Sequence, residues 1–130
     1  MIDMKAKKRL RRSMLFLNCQ KPALIRDPYV YRPDSIMLDL EDAVAENQKD
    51  AARFSLYHAL RTVDYRGVER VVRINGLDTP HWQEDVRVCV AGGADVIRTP
   101  NVPAPLTYRP LRRRYTGQNA SFTGRRAARC

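Results

Sequence analysis

The sequence has no apolar run near the roughly 18 residues that a membrane-crossing helix requires, which excludes a bilayer-spanning α-helix. It has no G-x-G-x-x-G after its first strand-like segment, so a dinucleotide-binding fold has little support. Cysteine is scarce: Cys19, Cys89 and Cys130 are odd in number and form no C-x-x-C. Free thiols in a reducing cytoplasm fit them better than disulfides or zinc. No Ser or Cys stands in a recognisable nucleophile setting. A basic start precedes the apolar stretch Met14 to Leu17, but four apolar residues fall short of the roughly 7 to 15 of an export signal.

What is present is unevenly charged. The 130 residues, enough for one domain, carry a net charge of +10. Residues 1–12 hold six basic side chains and one acid, residues 13–95 ten and thirteen, and residues 96–130 eight and none. An ordinary, mildly acidic middle is thus flanked by two basic ends.

Met14–Leu17, Ser35–Leu40, Val68–Ile74 and Ala94–Arg98 are short, largely apolar runs that predict four buried strands. Pro22, Pro28 and Pro33 punctuate the polar stretch after the first. From Glu46 to Val63 the period becomes helical, because Ala52, Leu56, Ala59, Leu60 and Val63 share one face. Asp64 and Gly67 mark its end. Pro80–Ala91 reads as a second helix, with Pro80 in its first turn and Gly92–Gly93 at its exit. Strands alternating with helices imply right-handed crossovers and a parallel sheet. The expected fold class is therefore α/β, about four parallel strands with three crossovers, a partial TIM-type barrel; a doubly wound open sheet is the alternative. The expected plan is a basic extension at 1–12, the half barrel at 13–98, and a disordered tail at 99–130. That tail holds four Pro, seven Arg and no acid, and cannot bury enough apolar surface to offset its ordering entropy.

Parallel strands of this kind place functional groups at their carboxyl ends. The second runs into Asp39, Glu41 and Asp42, three carboxylates that are costly together unless hydrated, hydrogen-bonded or near a cation. They read either as a magnesium-proximal acidic mouth or as helix capping on a solvated loop. The third delivers Arg73 between Val72 and Ile74, followed by Asn75 and Asp78. A guanidinium in an apolar strand must be paired, so it meets either a substrate carboxylate or Asp39 or Glu41. His58 reads as helix-surface packing, His81 as a turn residue and Trp82 as a packing anchor.

The blocks RRSMLF (Arg11–Phe16), DSIMLDLEDAV (Asp34–Val44), KDAAR (Lys49–Arg53), YHALR (Tyr57–Arg61), VVRINGLDTP (Val71–Pro80) and GGADVIR (Gly92–Arg98) stand in this order. Together they resemble the HpcH/HpaI aldolase and citrate lyase family, and within it the β-subunit branch. The resemblance implies a TIM-type barrel and a magnesium-dependent carbon–carbon lyase that cleaves citryl-acyl-carrier-protein to oxaloacetate and acetyl-acyl-carrier-protein. It implies that Arg73 grips the substrate carboxylate and that Glu41 and Asp42 hold metal-bound water. The direct magnesium ligands are expected on later strands outside this chain. The implied partners are acyl carrier protein, other citrate lyase subunits and, in full-length form, copies of itself. Relatives that cleave malyl or citramalyl thioesters share several blocks.

The sequence departs from the family pattern at Leu17–Gln20, where a glycine-containing turn is expected. The resemblance also stops at Arg98, a pattern that a reading-frame shift would produce. A half barrel alone is expected to be inactive, since its sheet edge and metal site are unfinished. The competing readings are a nucleic-acid-binding module using Arg112–Arg114, Tyr108 and Tyr115, and a fragment completed by a partner chain.

Overall fold

The computed structural model describes residues 10–101. Strands β1 (Met14–Asn18), β2 (Ser35–Asp39), β3 (Glu69–Arg73) and β4 (Val96–Arg98) form one sheet in the order β1-β2-β3-β4, every pair parallel. Helices α1 (Pro22–Ile25), α2 (Lys49–Thr62) and α3 (Trp82–Gly92) lie in the three crossovers. This is the expected α/β order of a partial TIM-type barrel.

The continuous apolar strands reflect two buried faces. Leu17, Ile36, Leu38, Leu40, Val72 and Ile74 pack with Ala52, Leu56, Leu60, Val86 and Cys89 in one core. Met37 and Val71 are also buried, on the opposite face, outside that cluster. No helix among the described residues is long and apolar enough to cross a membrane.

Several boundaries shift from the sequence expectation. β2 ends at Asp39 rather than Leu40, because Asp39 turns the chain by accepting the amides of Glu41 (2.9 Å) and Ala43 (3.3 Å). Glu46–Gln48 is a separate 3-10 turn before α2. α3 starts at Trp82, with His81 at its N-cap, and not at Pro80. Gly93 closes it in the left-handed region at φ 81°, donating to the carbonyls of Cys89 and Val90. Gly92 is held for another reason: a β-carbon there would lie 2.8 Å from Leu60 Cδ1, so its bareness lets α3 pack against α2. Two of the three prolines read as punctuation open short structure, Pro22 beginning α1 and Pro28 a 3-10 turn to Tyr31, while Pro33 stands between elements.

Ion pairs brace the amino ends of the strands. Arg11 forks onto Glu69 with two 2.6 Å bonds, Arg12 onto Asp34, and Arg70 onto Asp95. The last two arginines of the expected basic extension are therefore anchored to the barrel. Residues 1–9 and 102–130 lie outside the described residues, and with them Cys130, the Tyr108, Tyr115 and Arg112–Arg114 surface, and most of the expected disordered or frame-shifted tail.

Candidate functional site

Strand register builds the site. Asn18, Asp39, Arg73 and Arg98 are paired across β1 to β4 and form one row at the carboxyl ends. The neighbouring row, Leu17, Leu38, Val72 and Ile97, packs into the core under the helices. Side chains alternate along a strand, so the polar row projects from the opposite face, the one that lines the interior when such a sheet curls into a barrel.

Arg73 and Asp39 lie on adjacent strands at directly paired positions. Arg73 Nε donates to Asp39 Oδ1 at 2.9 Å and Nη2 donates to Oδ2 at 2.7 Å. Nη1 approaches Glu41 Oε2 at 3.0 Å and Asp42 Oδ2 at 3.8 Å. The Phe16 ring centroid lies 5.9 Å from the guanidinium carbon, within cation–π reach. The 3.0 Å approach of Nη1 is an ion pair without hydrogen-bond alignment, so the buried Glu41 Oε2 has no hydrogen-bond donor among the described residues.

The three carboxylates thus divide. Asp39 is buried, with both oxygens used by Arg73 and by backbone amides. Glu41 is ion-paired to Arg73 through a buried oxygen that receives no hydrogen bond among the described residues, and the Asp42 side chain is 82% exposed. Burial pushes the Asp39 carboxyl up, but the Arg73 fork and the two amides outweigh it and leave it below the usual carboxylate range. Burial raises Glu41 above its ordinary value; Asp42 and Asp39 add to this while Arg73 and Lys49 oppose it.

A buried network fixes this loop. Lys49, at the start of α2, sends Nζ to the carbonyls of Leu40 and Glu41, both at 2.8 Å. Asn75 Nδ2 donates to Leu40 O (3.0 Å) and to Asp85 Oδ2 (2.6 Å), and Asp85 Oδ1 accepts from Arg53 Nη1 (2.8 Å). Asp85 is fully buried on α3. Asn75 was named beside Arg73 in the sequence, while Lys49, Arg53 and Asp85 are the site-supporting residues that sequence reasoning missed. The available signal was the spacing of Lys49 and Arg53, one helical turn apart and beside the apolar positions Ala52 and Leu56.

The other candidates lie elsewhere. His58 meets Phe54 at a tilt and Tyr57 edge-on along α2, His81 pairs with Glu46, and Trp82 packs against the core. None joins the row. Among the described residues no three His, Cys, Asp or Glu are placed to hold a metal ion. The donors present do not make a magnesium cage, because Asp39 is consumed by Arg73. Glu41 Oε2, buried and 3.0 Å from Arg73 Nη1, already faces a cation and is poorly placed to bear a second one.

A parallel βα sheet with an arginine and a carboxylate rim at its carboxyl ends is the arrangement of the active face of barrel enzymes. The chain belongs to the HpcH/HpaI aldolase/citrate lyase family, whose model matches residues 12–112 and so runs past Arg98, where the block-by-block resemblance stops. It is 53% identical over 94 residues to the citrate lyase subunit beta of Leuconostoc mesenteroides subsp. cremoris, covering 72% of this chain and 31% of that protein. It is 40% identical over 91 residues to a (3S)-malyl-CoA thioesterase of Cereibacter sphaeroides, covering 70% and 32%. A citrate lyase beta subunit from Mycobacterium tuberculosis, complexed with oxaloacetate and magnesium, superposes with a TM-score of 0.63 at 30% identity, covering 80% of this chain and 46% of that one. The chain spans about a third of the length of the curated relatives it matches.

Proposed function

We propose that these residues form the opening strands of a carbon–carbon lyase of the citrate lyase β type, which cleaves citryl-acyl-carrier-protein to oxaloacetate and acetyl-acyl-carrier-protein. The observation that carries this reading is the Arg73 guanidinium set against Asp39, Glu41 and Asp42 at the carboxyl ends of the sheet. Greater identity to a citrate lyase subunit than to a malyl-CoA thioesterase supports the citryl substrate.

Cleavage requires a base for the tertiary hydroxyl, polarisation of the emerging keto group, and stabilisation of the thioester enolate. Arg73 binds a substrate carboxylate; Asp39 holds the guanidinium in place; Glu41 and Asp42 order water at the rim. Magnesium, when bound in the full-length enzyme, supplies charge for the keto acid oxygen, with direct ligands outside the described residues. Acyl carrier protein and the other citrate lyase subunits are the proposed partners. The buried thiols of Cys19 and Cys89 support a reducing, cytoplasmic setting. Alone, the 130-residue chain is expected to turn over little or no substrate.

The test is a graft. Residues 12–98 replace the matching segment of the Leuconostoc subunit, and oxaloacetate release from citryl-acyl-carrier-protein is measured with magnesium. Retained cleavage, lost at least about 100-fold in Arg73→Gln, supports the proposal. A graft active only on malyl thioester instead establishes the second reading, which the malyl-CoA thioesterase relative favours.

A further inference from the structure

The polar row ends in a second guanidinium that the site described so far does not use. Arg98 is paired in register with Arg73, on the next strand and the same face of the sheet, since Ile97 beside it packs into the core. Its backbone is fixed, the carbonyl accepting the amide of Ile74 at 3.0 Å. Its side chain is exposed and makes no hydrogen bond or ion pair among the described residues. Arg73, by contrast, is engaged by the acidic rim. One row therefore holds an arginine steadied by the acidic rim and one without a partner among the described residues, at neighbouring strand positions roughly 5 Å apart at the backbone.

We infer that Arg98 is a specificity-determining residue that takes the second free carboxylate of the substrate. The inference rests on the citryl reading above. A citryl thioester carries two free carboxylates and a malyl thioester one; their keto acid products differ in the same way. Two guanidiniums on adjacent strands match a dicarboxylate, and the open fork of Arg98 is suited to bidentate capture.

The test titrates the full 130-residue chain with oxaloacetate and with pyruvate, which differ by one carboxylate, reading the arginine Nε–H signals by NMR. The wild type is expected to prefer oxaloacetate about tenfold, and Arg98→Gln to reduce that preference to near unity while still binding pyruvate. Arg98→Lys should retain part of it, and Arg61→Gln, which removes an exposed arginine in the last turn of α2, should retain all of it. A preference unchanged in Arg98→Gln, or lost equally in Arg61→Gln, overturns the role of Arg98 and leaves the citryl reading intact. Failure of the wild type to bind either keto acid overturns this inference, while cleavage by the graft decides the citryl reading separately.

Discussion

Arg73 and Asp39 face each other across β3 and β2 through two parallel hydrogen bonds, and the same carboxylate caps the turn that presents Glu41. One side chain therefore orients the guanidinium and shapes the acidic rim. Asp39→Ala leaves both the fork and two amides without an acceptor. It should destabilise the chain by about 2 to 4 kcal/mol in urea denaturation, somewhat under the cost of breaking a fully buried pair because Arg73 reaches solvent. Asp39→Asn, which keeps the shape but loses the charge, should cost less.

Lys49 holds the loop from below. Replacing it by Met removes two charge-assisted hydrogen bonds, leaving the Glu41 carbonyl without its side-chain donor and the Leu40 carbonyl with Asn75 alone, at a cost of about 1 to 3 kcal/mol. Hydrogen exchange should quicken at the amides of Glu41 and Ala43 while those of β3 remain protected. Equal quickening across the sheet would show that Lys49 supports the whole core and has no particular hold on the loop.

The two rim carboxylates respond oppositely to pH. The folded pKa of Asp39 is depressed, so its contribution is complete above the ordinary carboxylate value of about 3.9 and is lost as pH falls through the folded value. The folded pKa of Glu41 is raised, so stability is greatest below about 4.3 on its account and declines as pH climbs through the folded value. Glu41→Gln should therefore remove a decline in unfolding free energy on the upper side of the carboxylate range. An unchanged pH profile in this variant counts against the raised pKa.

Gly92 packs against Leu60 where helix propensity alone would favour alanine. Gly92→Ala should nonetheless destabilise by roughly 1 to 3 kcal/mol, since the added methyl must displace Leu60 or part α2 from α3. Leu60→Ala in the same chain should recover part of the loss of Gly92→Ala, a coupling read from a double-mutant cycle.

The alternation of strands and helices and the need of Arg73 for an anion were legible in the chain itself, whereas the order β1-β2-β3-β4, rather than a doubly wound one, came from the fold. Apolar runs alternating with helical periods admit few topologies, and a guanidinium between Val72 and Ile74 has to find an anion. The sequence also marked Asp39, Glu41 and Asp42 as a group, but not their division into an anchoring carboxylate, a half-satisfied buried one and a solvated one. That division depends on burial, which follows from where the turn after β2 sits against α2 and β3. The Lys49, Asn75, Asp85 and Arg53 network, and the alignment of Arg98 beside Arg73, were decided only by tertiary structure. Each of these residues is ordinary in its own segment, and hydrogen bonds between groups far apart in the chain exist only once strand register and helix packing have brought them together.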